Sequence, residues 1–255
     1  MPVAMVTGAS RGVGRGVAIA LHEAGFQVFA TGRSIAAANL PSSIHRITCD
    51  HLNDSETRKA FAQLAAHADG LDILVNSAWG GYERMVENGQ FTWNLPFWEQ
   101  PPHRWTSMLD GGVRAAFVAS SLAARVMVPR QRGVIVNISY WAARKHIGNV
   151  IYGVSKAATD KMAADMAQEL HPHGVAAVSL YPGLVRTENV LASGWFDLSN
   201  SESPEFIGRV IAALSSDPAL LDRSGQGLVA AAVAAELGVS DLDGKQPAPL
   251  TLDTA

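Results

Sequence analysis

One cysteine, Cys49, is present in 255 residues, so an internal disulfide and a cysteine-built metal cage are excluded, in keeping with a reducing cytoplasm. Charge is sparse too. Asp, Glu, Lys and Arg make up 17% of the chain and the net charge is −3, which offers no basic field to nucleic acid or an anionic membrane. No uninterrupted apolar run reaches the roughly 18 residues of a bilayer span, and the first strand starts after two residues, so a cytoplasmic protein without leader or membrane anchor is expected. The eight histidines contain no HExxH pair, and His171-Pro172-His173 reads as a solvated helix end, so no metal site is expected. Internal repeats are absent as well.

What the chain does have is apolar content, 48%, laid out as strands alternating with helical patterns. Strands are expected at 3–6, 26–30, 44–49, 71–75, 134–138, 175–181 and 227–233. Helices are expected after Gly14, from a cap at Asp54 or Ser55 to about Ala68, over 106–128 with Gly111 and Gly112 interrupting, from Tyr152 onward, and from Ser203-Pro204 to about Leu214. Such alternation predicts an α/β fold with a doubly wound parallel sheet, Rossmann-like and three-layered, in a single domain over 1–255. Two stretches stand apart: an aromatic loop at 79–105, able to cap the sheet edge or wall an apolar pocket, and a segment at 188–203 able to close as a lid.

The first strand runs into Thr7, Gly8, Ala9, Ser10, Arg11, Gly12, Val13 and Gly14, and then into a helix. Glycines there permit a tight turn and close backbone approach, while the helix amino terminus presents unpaired N–H groups to a pyrophosphate, which points to a dinucleotide. After the second strand no acid stands ready for the adenosine ribose. Arg33 and Arg11 could instead clamp a 2′-phosphate, so NADP(H) is expected over NAD(H), with Asp50 facing the adenine.

A proton-transfer device is readable further on. Ser139 follows the strand 134–138 and so stands at a carboxyl end of the sheet, where α/β folds place ligands. Tyr152 and Lys156 share one face of the next helix at i, i+4 spacing, so the ammonium can favour the phenolate and make Tyr152 a usable acid and base. Ser139 would hydrogen-bond the substrate oxygen, and Trp79, Tyr140, Trp141 and Trp195 are candidate pocket walls.

Taken in order, Thr7-Gly8-xxx-Gly12-x-Gly14, Asp50, Asn76-Ser77-Ala78, Ser139, Tyr152-xxx-Lys156 and Pro182-Gly183 with Thr187 resemble the short-chain dehydrogenase/reductase family over nearly the whole chain. The resemblance implies that Tyr152 is the general acid/base, that Lys156 lowers its pKa and holds the nicotinamide ribose, and that Ser139 orients the substrate. It extends the cofactor site to Gly8, Ser10, Val13, Asn76, Ala78, Pro182, Gly183, Val185 and Thr187, the last on the carboxamide. It also implies a homodimer or homotetramer built on the long helices. The stretches WEQPPHRW and YGVSKAATDKMAADMAQEL are similar to a branch associated with NADPH-dependent reduction of steroid and other lipophilic carbonyls. Two departures stand out. Gly112 aligns with the family's active-site asparagine, and Trp79 with the last glycine of the asparagine motif. The expected activity is hydride transfer between NADP(H) and a lipophilic ketone, aldehyde or secondary alcohol; a cofactor-binding sensor with little catalysis is the competing expectation.

Overall fold

The structure is a computed structural model that describes residues 1–82 and 84–255. Seven parallel strands form its centre: β1 (Val3–Thr7), β2 (Gln27–Gly32), β3 (His45–Thr48), β4 (Ile73–Asn76), β5 (Gly133–Ile138), β6 (Val175–Tyr181) and β7 (Gly227–Val229). Their order across the sheet is β7-β6-β5-β4-β1-β2-β3. The order reverses between β1 and β4, and both crossovers there leave a crevice beyond the carboxyl ends of the strands.

Apolar clusters cover both faces, as a sheet buried on two sides requires. On one face α1 (Gly12–Glu23), α6 (Pro204–Ser215) and α7 (Ala230–Leu237) pack through Val17, Leu21, Phe206 and Ile211. On the other lie α2 (Asp54–His67), the long helix α3 (His103–Arg130) and α4 (Val150–Leu170). Ala119, Ala123 and Met127 give α3 a narrow apolar face that sits against the sheet. Among the described residues α3 is the one helix long and apolar enough to cross a membrane by length and composition; charged Asp110, Arg114 and Arg125 interrupt its sequence.

Several expectations change in detail. Asn53, not Asp54 or Ser55, caps α2, its side-chain oxygen taking the Ser55 N–H at 3.0 Å. The last strand stops at Val229 and the rest of the expected strand is the start of α7, because AAAVAAEL is an alanine-rich run that prefers helix. Gly111 and Gly112 do not break α3. Instead Thr106–Arg114 is π-helical, a wide turn that carries the glycines through without ending the helix. The segment at 188–203 holds a short helix, α5 (Glu188–Ser193), and Leu184–Val185 pairs in parallel with Ser201–Glu202, which draws its two ends together. The carboxy-terminal tail folds back at Ala248, bonded twice to the Asn200 amide at 2.7 and 3.0 Å.

Candidate active site

α4 starts where it does because Asn149 caps it. The Asn149 side-chain oxygen accepts the Tyr152 N–H at 2.9 Å, and its amide donates to the Trp93 carbonyl at 3.3 Å. One buried residue therefore fixes the helix start and ties it to the aromatic loop. Tyr152 and Lys156 rise from the first two turns, both buried at the crevice. The Lys156 ammonium donates to the Ile138 carbonyl at 3.1 Å and stands 4.8 Å over the Trp79 ring and 5.9 Å from the Tyr152 ring centre. Burial lowers its pKa to about 8, against the pull of Asp160 one turn on.

Aromatic rings enclose Tyr152. Trp93 and Trp79 lie 5.3 and 5.6 Å from it between ring centres, and Tyr82 and Tyr140 each at 6.5 Å. Burial, with Tyr82 and Tyr140 adding to it, raises the Tyr152 phenol well above its usual range, so it is protonated at neutral pH.

Ser139 is buried beside them, but its hydroxyl donates to the Lys156 carbonyl at 3.4 Å rather than toward the phenol. The aromatic loop is a built structure: buried Arg104 places its guanidinium 5.4 Å from the Trp93 ring and donates to Thr92 Oγ1 at 2.7 Å, while Gln100 donates to the Trp93 carbonyl at 3.0 Å. It walls Tyr152, packing there with Met108 and Ala142. Trp141 stacks edge-on against Tyr181 at 5.4 Å, and Trp195 is 84% exposed, outside this ring cluster.

The glycine turn has the form a pyrophosphate requires. Gly8 has φ +69°, and a Cβ on it would stand 2.6 Å from the Ala78 Cα; on Gly14 it would overlap the Gly8 carbonyl. Thr7 Oγ1 accepts the N–H groups of Ser77 and Ala78, each at 3.1 Å, which joins this turn to the end of β4. At the start of α1, the Gly12 N–H binds a carboxylate oxygen of Glu188 at 3.0 Å, and Arg15 pairs with the same carboxylate at 3.0 Å. An anion is already favoured there. Thr187 lies beside Gly12, its Cγ2 3.5 Å from where a Cβ would be, and caps α5 through the Val190 N–H. The Ser10 hydroxyl is buried without a partner in the notch left by Gly32. Arg11 and Arg33 are exposed at the same rim, and Asp50 follows β3, accepting the Leu52 N–H at 3.0 Å. Asn76 uses its amide to tie β4 to Asn137 of β5 and Ser120 of α3, both at 2.9 Å, so its side chain serves the sheet. Gly183, after Pro182 and near Val185, gives its N–H to buried Glu202 at 2.8 Å. The unpartnered Ser10 hydroxyl and the notches left by Gly8, Gly14 and Gly32 fit close approach of a dinucleotide's phosphates.

Residues 2–194 match the family model described as short chain dehydrogenase. This chain belongs to that family. Being a short-chain dehydrogenase/reductase, it is an oxidoreductase acting on CH–OH or C=O groups with a nicotinamide cofactor. It is similar to dehydrogenase/reductase SDR family member 1 of Mus musculus, at 39% identity over 95% of this chain and 84% of that protein, and of Homo sapiens at 38% with the same coverage. Serine 3-dehydrogenase of Rhizobium radiobacter is 28% identical over 73% of each chain. Among solved structures, a short-chain type dehydrogenase/reductase from Mycobacterium marinum superposes with a TM-score of 0.75 at 26% identity, covering 89% of this chain and 93% of the other.

Sequence reasoning did not name Asn149, Tyr82 or Trp93 as site residues. Asn149 carries a readable sign, a capping residue three places before Tyr152. Tyr82 and Trp93 carry none beyond lying in an aromatic loop, since the path of that loop decides what they touch.

Proposed function

We propose that this dehydrogenase/reductase uses NADP(H) to reduce a lipophilic ketone or aldehyde, or to oxidise the matching secondary alcohol. The observation that carries this reading is a protonated Tyr152 beside Lys156, walled by Trp79, Trp93, Tyr82 and Tyr140. NADP(H), when bound, supplies or accepts the hydride at the carbonyl carbon. Tyr152 gives its proton to the carbonyl oxygen in reduction and regains one from the alcohol in oxidation. At neutral pH it carries the proton that the donor role needs. Ser139, after turning its hydroxyl from the Lys156 carbonyl, is the second donor to that oxygen, and Lys156 holds the ribose. The aromatic wall excludes water and favours an apolar substrate.

Exposed Arg11 and Arg33, with no acid closing β2, support NADP(H) over NAD(H) through the 2′-phosphate. Thr187, beside Gly12, is the residue for the carboxamide. The chain would work as a single cofactor-and-substrate domain, as a cytoplasmic homodimer or homotetramer.

The test is NADPH oxidation against a panel of lipophilic ketones, aldehydes and quinones, with NADH and Tyr152→Phe in parallel. The expected result is turnover preferring NADPH, lowered at least ~100-fold in Tyr152→Phe with cofactor affinity kept. Full turnover in that variant would overturn the role of the phenol. Tight NADPH binding with no turnover by the wild type across the panel would favour a cofactor-binding sensor.

A further inference from the structure

Trp79 is held more tightly than a pocket wall needs. A Cβ on Gly112 would stand 2.5 Å from its Cδ1 and 3.3 Å from its Nε1, so the indole occupies the space that any side chain at position 112 would use. A Cβ on Gly81 would overlap the far edge of the same ring. Tyr82 packs edge-on against it at 4.7 Å between ring centres, and the neighbouring Gly80 N–H bonds to the Ser107 carbonyl at 3.2 Å, fastening the loop to the π-helical part of α3. The face left over is turned to the Lys156 ammonium at 4.8 Å.

That ammonium needs a second support. It is buried and donates to the Ile138 carbonyl on one side. Asp160, on its own helix, is the charged group acting on it, and it also accepts the Tyr181 hydroxyl. The groups toward the crevice are the phenols of buried Tyr152 on α4 and of Tyr82 on the loop, both with pKa values raised above the ordinary phenol value and so neutral, with Tyr140 beyond them. A desolvated cation without a full set of hydrogen bonds gains most from an aromatic face.

We propose that Trp79 is the positioning residue for Lys156: its indole face holds the ammonium at the crevice, and residue 112 is glycine to admit the ring. This rests on the reading of Lys156 as part of the reaction centre. The wide π-helical turn at Gly111 and Gly112 is then the backbone's accommodation of the indole.

The chain has five lysines, so the Lys156 ammonium can be followed by NMR in lysine-labelled, cofactor-free protein and assigned by its loss in Lys156→Met. Trp79→Leu keeps apolar volume but removes the face, and its Lys156 titration midpoint is expected to fall by about one pH unit. Trp79→Phe restores a face and should recover most of that shift. The alkaline limb of kcat/KM should move in parallel. An unchanged or raised midpoint in Trp79→Leu, with the other four lysine signals in place, would overturn the proposal. The NMR readout needs no turnover, so it stands apart from the Tyr152→Phe test; a shift seen in an inactive protein would keep the positioning role and reject the reductase reading.

Discussion

Glu202 is a buried carboxylate that the fold keeps at a cost. Burial pushes its pKa up to about 7, with Asp241 adding to the rise, while the Gly183 N–H and Arg186 pull it back. The native chain therefore holds this proton where the unfolded chain, with an ordinary value of 4.5, has lost it. Stability is present in full below about pH 4.5 and is lost as pH rises toward 7. Glu202→Gln keeps an acceptor for Gly183 and removes the charge. We expect it to stabilise the chain by about 3 kcal/mol at pH 8 and to change little at pH 4.5, as read from urea unfolding at both values. An equal gain at both would place the effect elsewhere. The carboxylate is held by the Gly183 N–H at 2.8 Å.

The element that presents the glycine turn, α1, is set by its contact with α6. A Cβ on Gly208 of α6 would lie 2.7 Å from the Ala20 Cβ and 2.8 Å from the Val17 Cα, and one on Gly16 would overlap Pro204. The two backbones meet directly, without side chains to yield. Gly208→Ala is expected to cost about 2 kcal/mol through overpacking, despite the better helix propensity of alanine, and to weaken NADPH binding several-fold as the start of α1 shifts. Denaturant midpoints and a cofactor titration check both. At this scale the sequence was a good guide wherever signals were local. The β-branched runs marked the sheet strands, Ser203-Pro204 marked the start of α6, and the glycine turn, Tyr152 and Lys156 were legible as spacing alone. It was a poor guide where a short apolar run could be helix or strand, as at Ala230–Leu237, and where a loop path decides the neighbour. Trp79 was visible as a candidate pocket wall and as a bulky residue at a glycine position, and Gly112 only as a missing asparagine; their mutual fit belongs to three dimensions.

Across the molecule, Glu202 has an opposite in His51. Buried at the end of the β3 segment and bonded to Thr31 Oγ1 at 2.7 Å, His51 has its pKa lowered from 6.5 to about 4 by burial, against the pull of Asp50 and Glu56. Its contribution is full above pH 6.5 and is lost as pH falls toward 4. Between about pH 4.5 and 6.5 the two groups act with opposite signs, one just past β3 and the other beside Gly183. Relative to wild type, Glu202→Gln should lose thermal stability more steeply as the solution is acidified through this range, and His51→Gln should lose it less steeply. Thermal melts at half-unit intervals decide it; matching slopes in all three proteins would refute the pairing. The aromatic loop has an optical consequence of its own. Of six tryptophans, Trp79, Trp93, Trp98 and Trp105 fall in 79–105, and Trp141 lies close to the crevice as well. Indole emission falls where reduced nicotinamide absorbs, so the two indoles beside Tyr152, Trp79 and Trp93, make the protein's own fluorescence sensitive, without any added dye, to what enters and leaves that space.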